Sequence, residues 1–452
     1  MALTLPAWAA DVVPVPKTAQ PITIDQALEI AFSNNPDLRI ATAQVNRAVG
    51  VVEEARARFN PQFAAQIVQL YQGPAVSIPA SELTGGKATT ITPPSQTSAQ
   101  ANIFLPLDIF GRRRYASDMA RDQFEISYLS LLRTSEQLIS QVKRNYYELL
   151  RACGQADNAQ AAVDVSAVRL KNTEARFTAG TVPKFDLTTA QVDLANLNQT
   201  LIAAQSRVNI AQANLNRVLG ISANSSTQVV KCAVAVDIFN VDIPQADKTA
   251  KAQRPEIKSQ IWNIALNKSN INLQRAAAKP DLTVTGAYNY VSAQSFSSSN
   301  MSYVVGPTLS IPIWDGGITK ARVDQAFADL DLANQTLDQT ELVISQEVST
   351  AALVLEEAAK RTQSTAQNVT LAEEALRLAN VRYEAGIAVL VEVTNAESQL
   401  TQARFFEVNA LYDYAIALAE LQRITATQPE ITRLSLIDYK PALSLTSKPV
   451  AK

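Results

Sequence analysis

The segment RFTAGTVPKFD, residues 176–186, returns as RYEAGIAVLVE at residues 382–392, an offset of 206 positions. The offset holds well beyond both segments. ANIFLPLDIFG (101–111) aligns with PTLSIPIWDGG (307–317), and NRVLG (216–220) with QRITA (422–426). NPDL (35–38) and RPEI (254–257), like Asn60-Pro61 and Lys279-Pro280, stand 219 apart, so the 13 extra residues of the first copy fall between Pro61 and Ala101. Repetition over most of the chain means a duplicated unit, and whatever the fold is, it must be built twice.

Each unit reads helix, strand, loop, strand, long helix, break, helix. The first occupies residues 22–220 and the second 251–426. Residues 221–250 lack a clear period and link them, 427–452 form a tail, and 1–21 precede them. Residues 112–178 and 318–384 are 67-residue runs without proline. As helices they would each extend about 100 Å. The arms after the breaks, 184–219 and 390–424, are about half as long, as are the helices expected over 24–59 and 255–279. Leu187, Leu194, Leu201, Val208 and Leu215 recur every seven residues, beside Ala190, Leu197, Ala204, Ala211 and Val218. Ala396, Ala403, Ala410, Ala417 and Ile424 repeat the second row. Small residues at heptad positions suit closely approaching coiled-coil helices, whether in a solid bundle or a tube wall.

Four strands are expected over 62–71, 97–107, 282–290 and 303–313. In the last, Tyr303, Val305, Pro307, Leu309, Ile311 and Ile313 alternate with Val304, Gly306, Thr308, Ser310 and Pro312, giving one greasy face and one weaker face. Residues 72–96 read as one long, turn-rich loop. Strands of this length can cross a bilayer when tilted, or form a soluble sandwich. Four strands do not close a barrel, and an open edge in lipid leaves backbone groups unpaired, so a membrane role demands several chains; three would supply twelve strands.

Composition narrows the function. The chain has no histidine and a net charge of −2, which removes the usual zinc, haem and Ser-His-Asp sites and any strong attraction to nucleic acid. No phosphate loop is present; the Gly-Gly pairs at 85–86 and 316–317 read as turns. No cofactor is expected. No run of 18 apolar residues predicts a spanning helix. Cys153 and Cys232 are either two free thiols or one disulfide. MALTLPAWAADVVPVP resembles the end of an export signal without its basic front, or a flexible leader; with no cysteine near residues 7–15, no lipid anchor is expected.

The NPDL start, the Asn-Pro end of the first helical region, the IPIWDGG junction, RYEAGIAVLVEVTNAESQL and the duplicated layout resemble the TolC-like outer membrane efflux proteins over residues 22–425. The resemblance implies a mainly α fold with a transmembrane β-barrel: a homotrimer with a 12-stranded barrel in outer membrane lipid, continued by an α-helical coiled-coil tunnel through the periplasm. It also implies a passive exit duct, not an enzyme, working with a periplasmic adaptor and an inner membrane RND or ABC transporter. A periplasmic coiled-coil adaptor without a pore is the contrasting reading.

Pro106 and Gly111, and Pro312, Asp315, Gly316 and Gly317, would form the barrel–tunnel junctions, with Asp315 capping a helix. Arg112, Arg113 and Arg114 follow; they read first as solvated charge and secondly as contacts to lipid headgroups. Gly180, Thr181, Val182, Gly386, Ile387 and Ala388 would form the hairpin tips where an adaptor docks. By the resemblance, Glu392 stands at an acidic gating position. Asn395 replaces a second acid, and Asp186 is the first repeat's counterpart of Glu392.

Overall fold

The computed structural model describes residues 21–80, 86, 89–231, 234–236, 241–292 and 299–429. The expected leader (up to residue 20), the tail beyond residue 429 and Cys232 lie outside these residues, and Cys153 is a free, half-buried thiol.

The helix expected over 24–59 is two helices, α1 (Ile24–Asn34) and α2 (Pro36–Ala57). Thr23 and Gln26 form a capping box at the start of α1. Asn35 then restarts the chain: its side-chain oxygen accepts from the backbone N–H of Asp37 at 2.8 Å and of Leu38 at 3.3 Å. Pro36 sits at the first helical position, where its missing N–H costs nothing. The remaining elements are β1 (Gln62–Tyr71), β2 (Val76–Ile78), β3 (Thr89–Thr92), β4 (Ser95–Leu107), α3 (Arg112–Thr178), α4 (Lys184–Leu219), α5 (Ile243–Gln253), α6 (Pro255–Ala277), β5 (Asp281–Val291), β6 (Met301–Ser310), α7 (Ile318–Glu384) and α8 (Leu390–Ile424). Both proline-free runs are helices over their whole length. The segment expected to be plain loop carries the antiparallel β2–β3 pair, and α5 begins inside the stretch expected to be linker.

In space the chain divides across its repeats. One unit comprises residues 43–128 and 259–338, and the other residues up to 42, 129–258 and from 339 onward.

The first unit holds an antiparallel sheet of order β1-β4-β5-β6. Its register pairs Phe63 with Ile103, Ile103 with Gly286 and Gly286 with Val305, so these positions share one face. Ile67, Tyr71, Leu105, Val284, Tyr288, Tyr303 and Leu309 have the same parity. Phe63 and Tyr303 are each 78% exposed. The opposite face carries the row Gln66, Gln100, Asn289, Ser302. The expected alternation is therefore present, but β6 begins at Met301 and stops at Ser310 instead of running 303–313. Ser310 pairs with Asp281, the first residue of β5, so among the described residues Ile311 and Ile313 have no partner strand to join.

The second unit is helical. Ala396, Ala403, Ala410, Ala417 and Ile424 of α8 are all buried. Tyr414 and Ala417 pack with Leu355, Ala358 and Ala359 of α7, and further along Leu400 and Ala403 pack with Ala372. Alanine at these positions lets α7 and α8 approach closely. The Tyr146 hydroxyl of α3 lies 3.1 Å from the Ile22 carbonyl and 2.9 Å from that of Val230, fastening a parallel bridge between Ile22 and Val229. Both short arms end in a left-handed residue. Gly220 has φ +72°, and a Cβ there would lie 2.6 Å from the Asn34 carbonyl carbon. Its counterpart is Ala426, at φ 52°, which meets the same backbone requirement without being glycine.

Candidate functional site

The two breaks in the helical pattern are the same backbone motif. At the end of α3, Gly180 adopts φ +74°, and at the end of α7, Gly386 adopts φ +69°. The Gly180 N–H donates to Phe177 O at 2.9 Å and the Thr181 N–H to Arg176 O at 2.9 Å. The Gly386 N–H donates to Tyr383 O at 3.1 Å and the Ile387 N–H to Arg382 O at 3.0 Å. These paired bonds satisfy the last helical carbonyls and require a left-handed residue, which glycine supplies without strain. The chain then turns into α4 or α8 through Pro183 or Val389, both extended. Thr181 is exposed and Val182 half-buried; Ile387 is 73% exposed and Ala388 half-buried.

Asp186 and Glu392 occupy the first turns of α4 and α8, where a negative charge is favoured by the helix dipole. Their surroundings differ. The Glu392 carboxylate lies 3.2 Å from the guanidinium of Arg382, across the same turn. Arg176, the first repeat's counterpart of Arg382, instead lies 5.4 Å above the ring of Tyr383. Asn395 is exposed. Glu392 is thus a partly neutralised charge and not the free carboxylate that its position suggests.

The structure adds a set of residues absent from the sequence reading: a polar ladder between α3 and α8. Ser140 donates to Glu420 at 2.9 Å and Lys143 to Gln422 at 3.2 Å. Arg151 donates to Asp413 at 3.0 Å, which also accepts from Arg361 of α7 at 2.9 Å. Gln155 bonds Asn409 at 2.6 Å. Toward the tips, Arg169 pairs with Glu397 of α8 and lies 3.8 Å from Asp193 of α4, with its side chain only 11% exposed. This cluster borders a cavity of about 470 Å³ that Asn158, Val165, Leu197, Thr401 and Phe405 also line. On the same helix Glu136 is buried, and its carboxyl is pushed up to about 7 by that burial and by nearby Glu256, against the pull of Arg254, Arg423 and Lys258. No local period announces the α3–α8 contacts, because they join helices from different repeats.

At the strand–helix junctions, Asp108 accepts from the N–H of Arg113 at 3.2 Å and of Arg114 at 2.9 Å, while Asp315 accepts from Gly317 at 3.0 Å and Thr319 at 2.8 Å. Asp315 therefore caps α7 as expected, and Asp108 does the same for α3. Gly111, Gly316 and Gly317 are all left-handed. Pro106 is buried at the end of β4 and Pro312 is exposed in the segment after β6. Among the described residues, no group of three or more His, Cys, Asp or Glu could hold a metal ion, and no helix is long and apolar enough to cross a membrane.

A family profile described as outer membrane efflux protein matches residues 27–221 and 248–427. The chain is 22% identical over 411 residues to the cobalt-zinc-cadmium resistance protein CzcC of Cupriavidus metallidurans, covering 90% of this chain and 91% of that one. It is 22% identical over 438 residues to the outer membrane protein TolC of Vibrio cholerae, covering 92% and 93%. Its backbone matches the Campylobacter jejuni CmeC outer membrane channel with a TM-score of 0.77 at 17% identity, over 89% of this chain and 85% of that one.

Proposed function

Because the chain belongs to the outer membrane efflux protein family, and is an outer membrane exit duct with a periplasmic extension and not an enzyme, we propose how its parts divide that work. Three copies join through the free edges of β1 and β6 to close a barrel of twelve strands. The carrying observation is the sheet register: one face presents Phe63, Ile103, Val305 and Tyr303, and the other Gln66, Gln100, Asn289 and Ser302. The first face suits lipid and the second a water-filled lumen. The helices continue the duct as a coiled-coil tunnel.

The tips formed by Gly180, Thr181 and Val182 and by Gly386, Ile387 and Ala388 receive a periplasmic adaptor. An inner membrane transporter of the RND or ABC type supplies the energy. Opening is a population shift in which the two hairpins part along the α3–α8 ladder. Glu392, with Asn395 and Asp186 nearby, sets the charge of the narrow end, tempered by Arg382.

Cysteines placed singly along β1 and β6 test the assembly. Intersubunit disulfides should form in one register only, in trimers that dissociate on heating. Disulfides in several registers, or a protein that stays soluble without detergent, would refute the barrel. Planar-bilayer conductance tests the gate: if Glu392→Ala leaves ion selectivity and divalent-cation block unchanged, Glu392 does not line the pore.

A further inference from the structure

The strands β1, β4, β5 and β6 hold a single charged residue, Asp281, in a chain whose charged residues make up 18%. Charge is scarce around them too. Residues 61–107 contain only Glu82 and Lys87, of opposite sign, and residues 281–314 none beyond Asp281. Asp281 opens β5 at the helical end of the sheet, and its carboxylate lies 3.3 Å from the guanidinium of Arg113, so the pair has no net charge.

The polar face is built from amides and hydroxyls. Beside the row Gln66, Gln100, Asn289 and Ser302 stands Asn102, then Gln62 and Thr285, then Thr283 and Thr308. Gln100 Nε2 donates to Asn102 Oδ1 at 2.9 Å, and Gln66, Gln100 and Ser302 are exposed. Such groups both donate and accept, so they meet a polar solute much as water does, and exchanging one set of hydrogen bonds for the other changes little free energy. Sorting solutes by sign takes fixed charge: rings of Asp or Glu draw cations, and rings of Lys or Arg draw anions. Glutamate has nearly the shape of glutamine, yet Gln62, Gln66, Gln96 and Gln100 are all the neutral member of that pair.

We propose that the strand segment of the duct is blind to the sign of its cargo's charge: it passes cationic, anionic and uncharged polar solutes alike. Nothing on this wall concentrates one sign over the other, because its one carboxylate is paired and stands at the helical end. Three copies multiply the amides and add no charge. The proposal rests on the polar face lining the lumen of the proposed barrel, and the test separates the two.

Replacing Cys153 and Cys232 with Ser clears the full chain of native thiols, and Gln100→Cys then puts one thiol on the polar face. The assembled protein in bilayer vesicles is treated with methanethiosulfonates of similar size bearing a trimethylammonium, a sulfonate or a hydroxyl group. Each rate is divided by that of free 2-mercaptoethanol. All three reagents should modify Gln100→Cys, and none should modify Ile103→Cys on the apolar face. Equal reactivity at the two positions would overturn the barrel reading and the proposal with it. The corrected cation-to-anion ratio at position 100 should stay within about threefold of one and hold as salt is lowered. A larger ratio in either direction, shrinking as salt is added, would overturn the sign-blind wall and leave the barrel standing. Adding Gln66→Glu, directly across from position 100, should raise the ratio on the order of fivefold at low salt. An unchanged ratio there would show that charge on this wall does not act on solutes, which also overturns the proposal. Asn289→Cys, in the same row, gives the same measurement should Gln100→Cys fail to assemble.

Discussion

The two sides of α8 are built for opposite purposes. Toward α7 it presents Ala403, Ala410, Ala417 and Tyr414, buried among alanines and leucines. Toward α3 it presents Glu397, Asn409, Asp413 and Glu420, each bonded to a polar partner. Separating the first seam would expose apolar surface, at roughly 25 cal/mol per Å². Separating the second exchanges protein hydrogen bonds for bonds to water, a change of about 1 kcal/mol per bond. A hairpin can thus stay intact while its contact with the other hairpin opens, which is what a gated duct needs.

The sharpest way to break this contrast is to overfill the apolar seam. Ala410 is 1% exposed, so Ala410→Leu should cost about 3 kcal/mol. It should abolish heat-modifiable oligomers on gels, and normal assembly would mean that the seam is loose. Next comes the charged rung nearest the tips. Arg169→Ala leaves Glu397 and Asp193 without their shared cation and should cost about 2 kcal/mol. Here assembly should survive while single-channel conductance rises. Loss of assembly with no gain in conductance would make the rung a structural tie.

Glu136 tests the same side of α3 by pH. Burial raises its carboxyl from an ordinary 4.5 to about 7, so the native state binds the proton more tightly than the unfolded chain does. Its contribution is fully present below about pH 4.5 and is lost as pH rises through 7. Glu136→Gln should therefore match the parent at pH 4 and exceed it in stability at pH 8, read as apparent Tm. The smallest effect belongs to the exposed pair of Arg382 and Glu392. Arg382→Gln should change stability by less than about 0.5 kcal/mol, yet increase cation selectivity by freeing the Glu392 carboxylate. Unaltered selectivity would remove Glu392 from the pore.

Local rules made much of this legible in the chain. Absence of proline marked α3 and α7 over their whole length, period two marked the faces of the sheet, and glycine marked both turns. Period alone failed where alternation outlasts pairing. Ile311 and Ile313 continue the pattern of β6, but β5 begins at Asp281 and has nothing left to offer them. The break at Asn35 was signalled by Pro36, which disfavours a helical residue before it, but apolar residues recur with helical spacing on both sides and make the two helices read as one. Arg382 stands ten positions before Glu392 and was within reach of a close reading, since a turn brings its two flanks together. The ladder of Arg151, Gln155 and Arg169 was not, because its partners lie 228 to 262 residues away.

The sheet's open edges also constrain biogenesis. Among the described residues β1 has β4 as its only neighbour and β6 has only β5, so a lone subunit carries two rows of unpaired backbone groups beside a greasy face. Neither water nor hydrocarbon suits such a surface: the first penalises the side chains and the second the peptide groups. In the proposed trimer, insertion and association are therefore one event. Its rate should rise more steeply than linearly with subunit concentration, and a newly exported chain must be escorted until two others arrive.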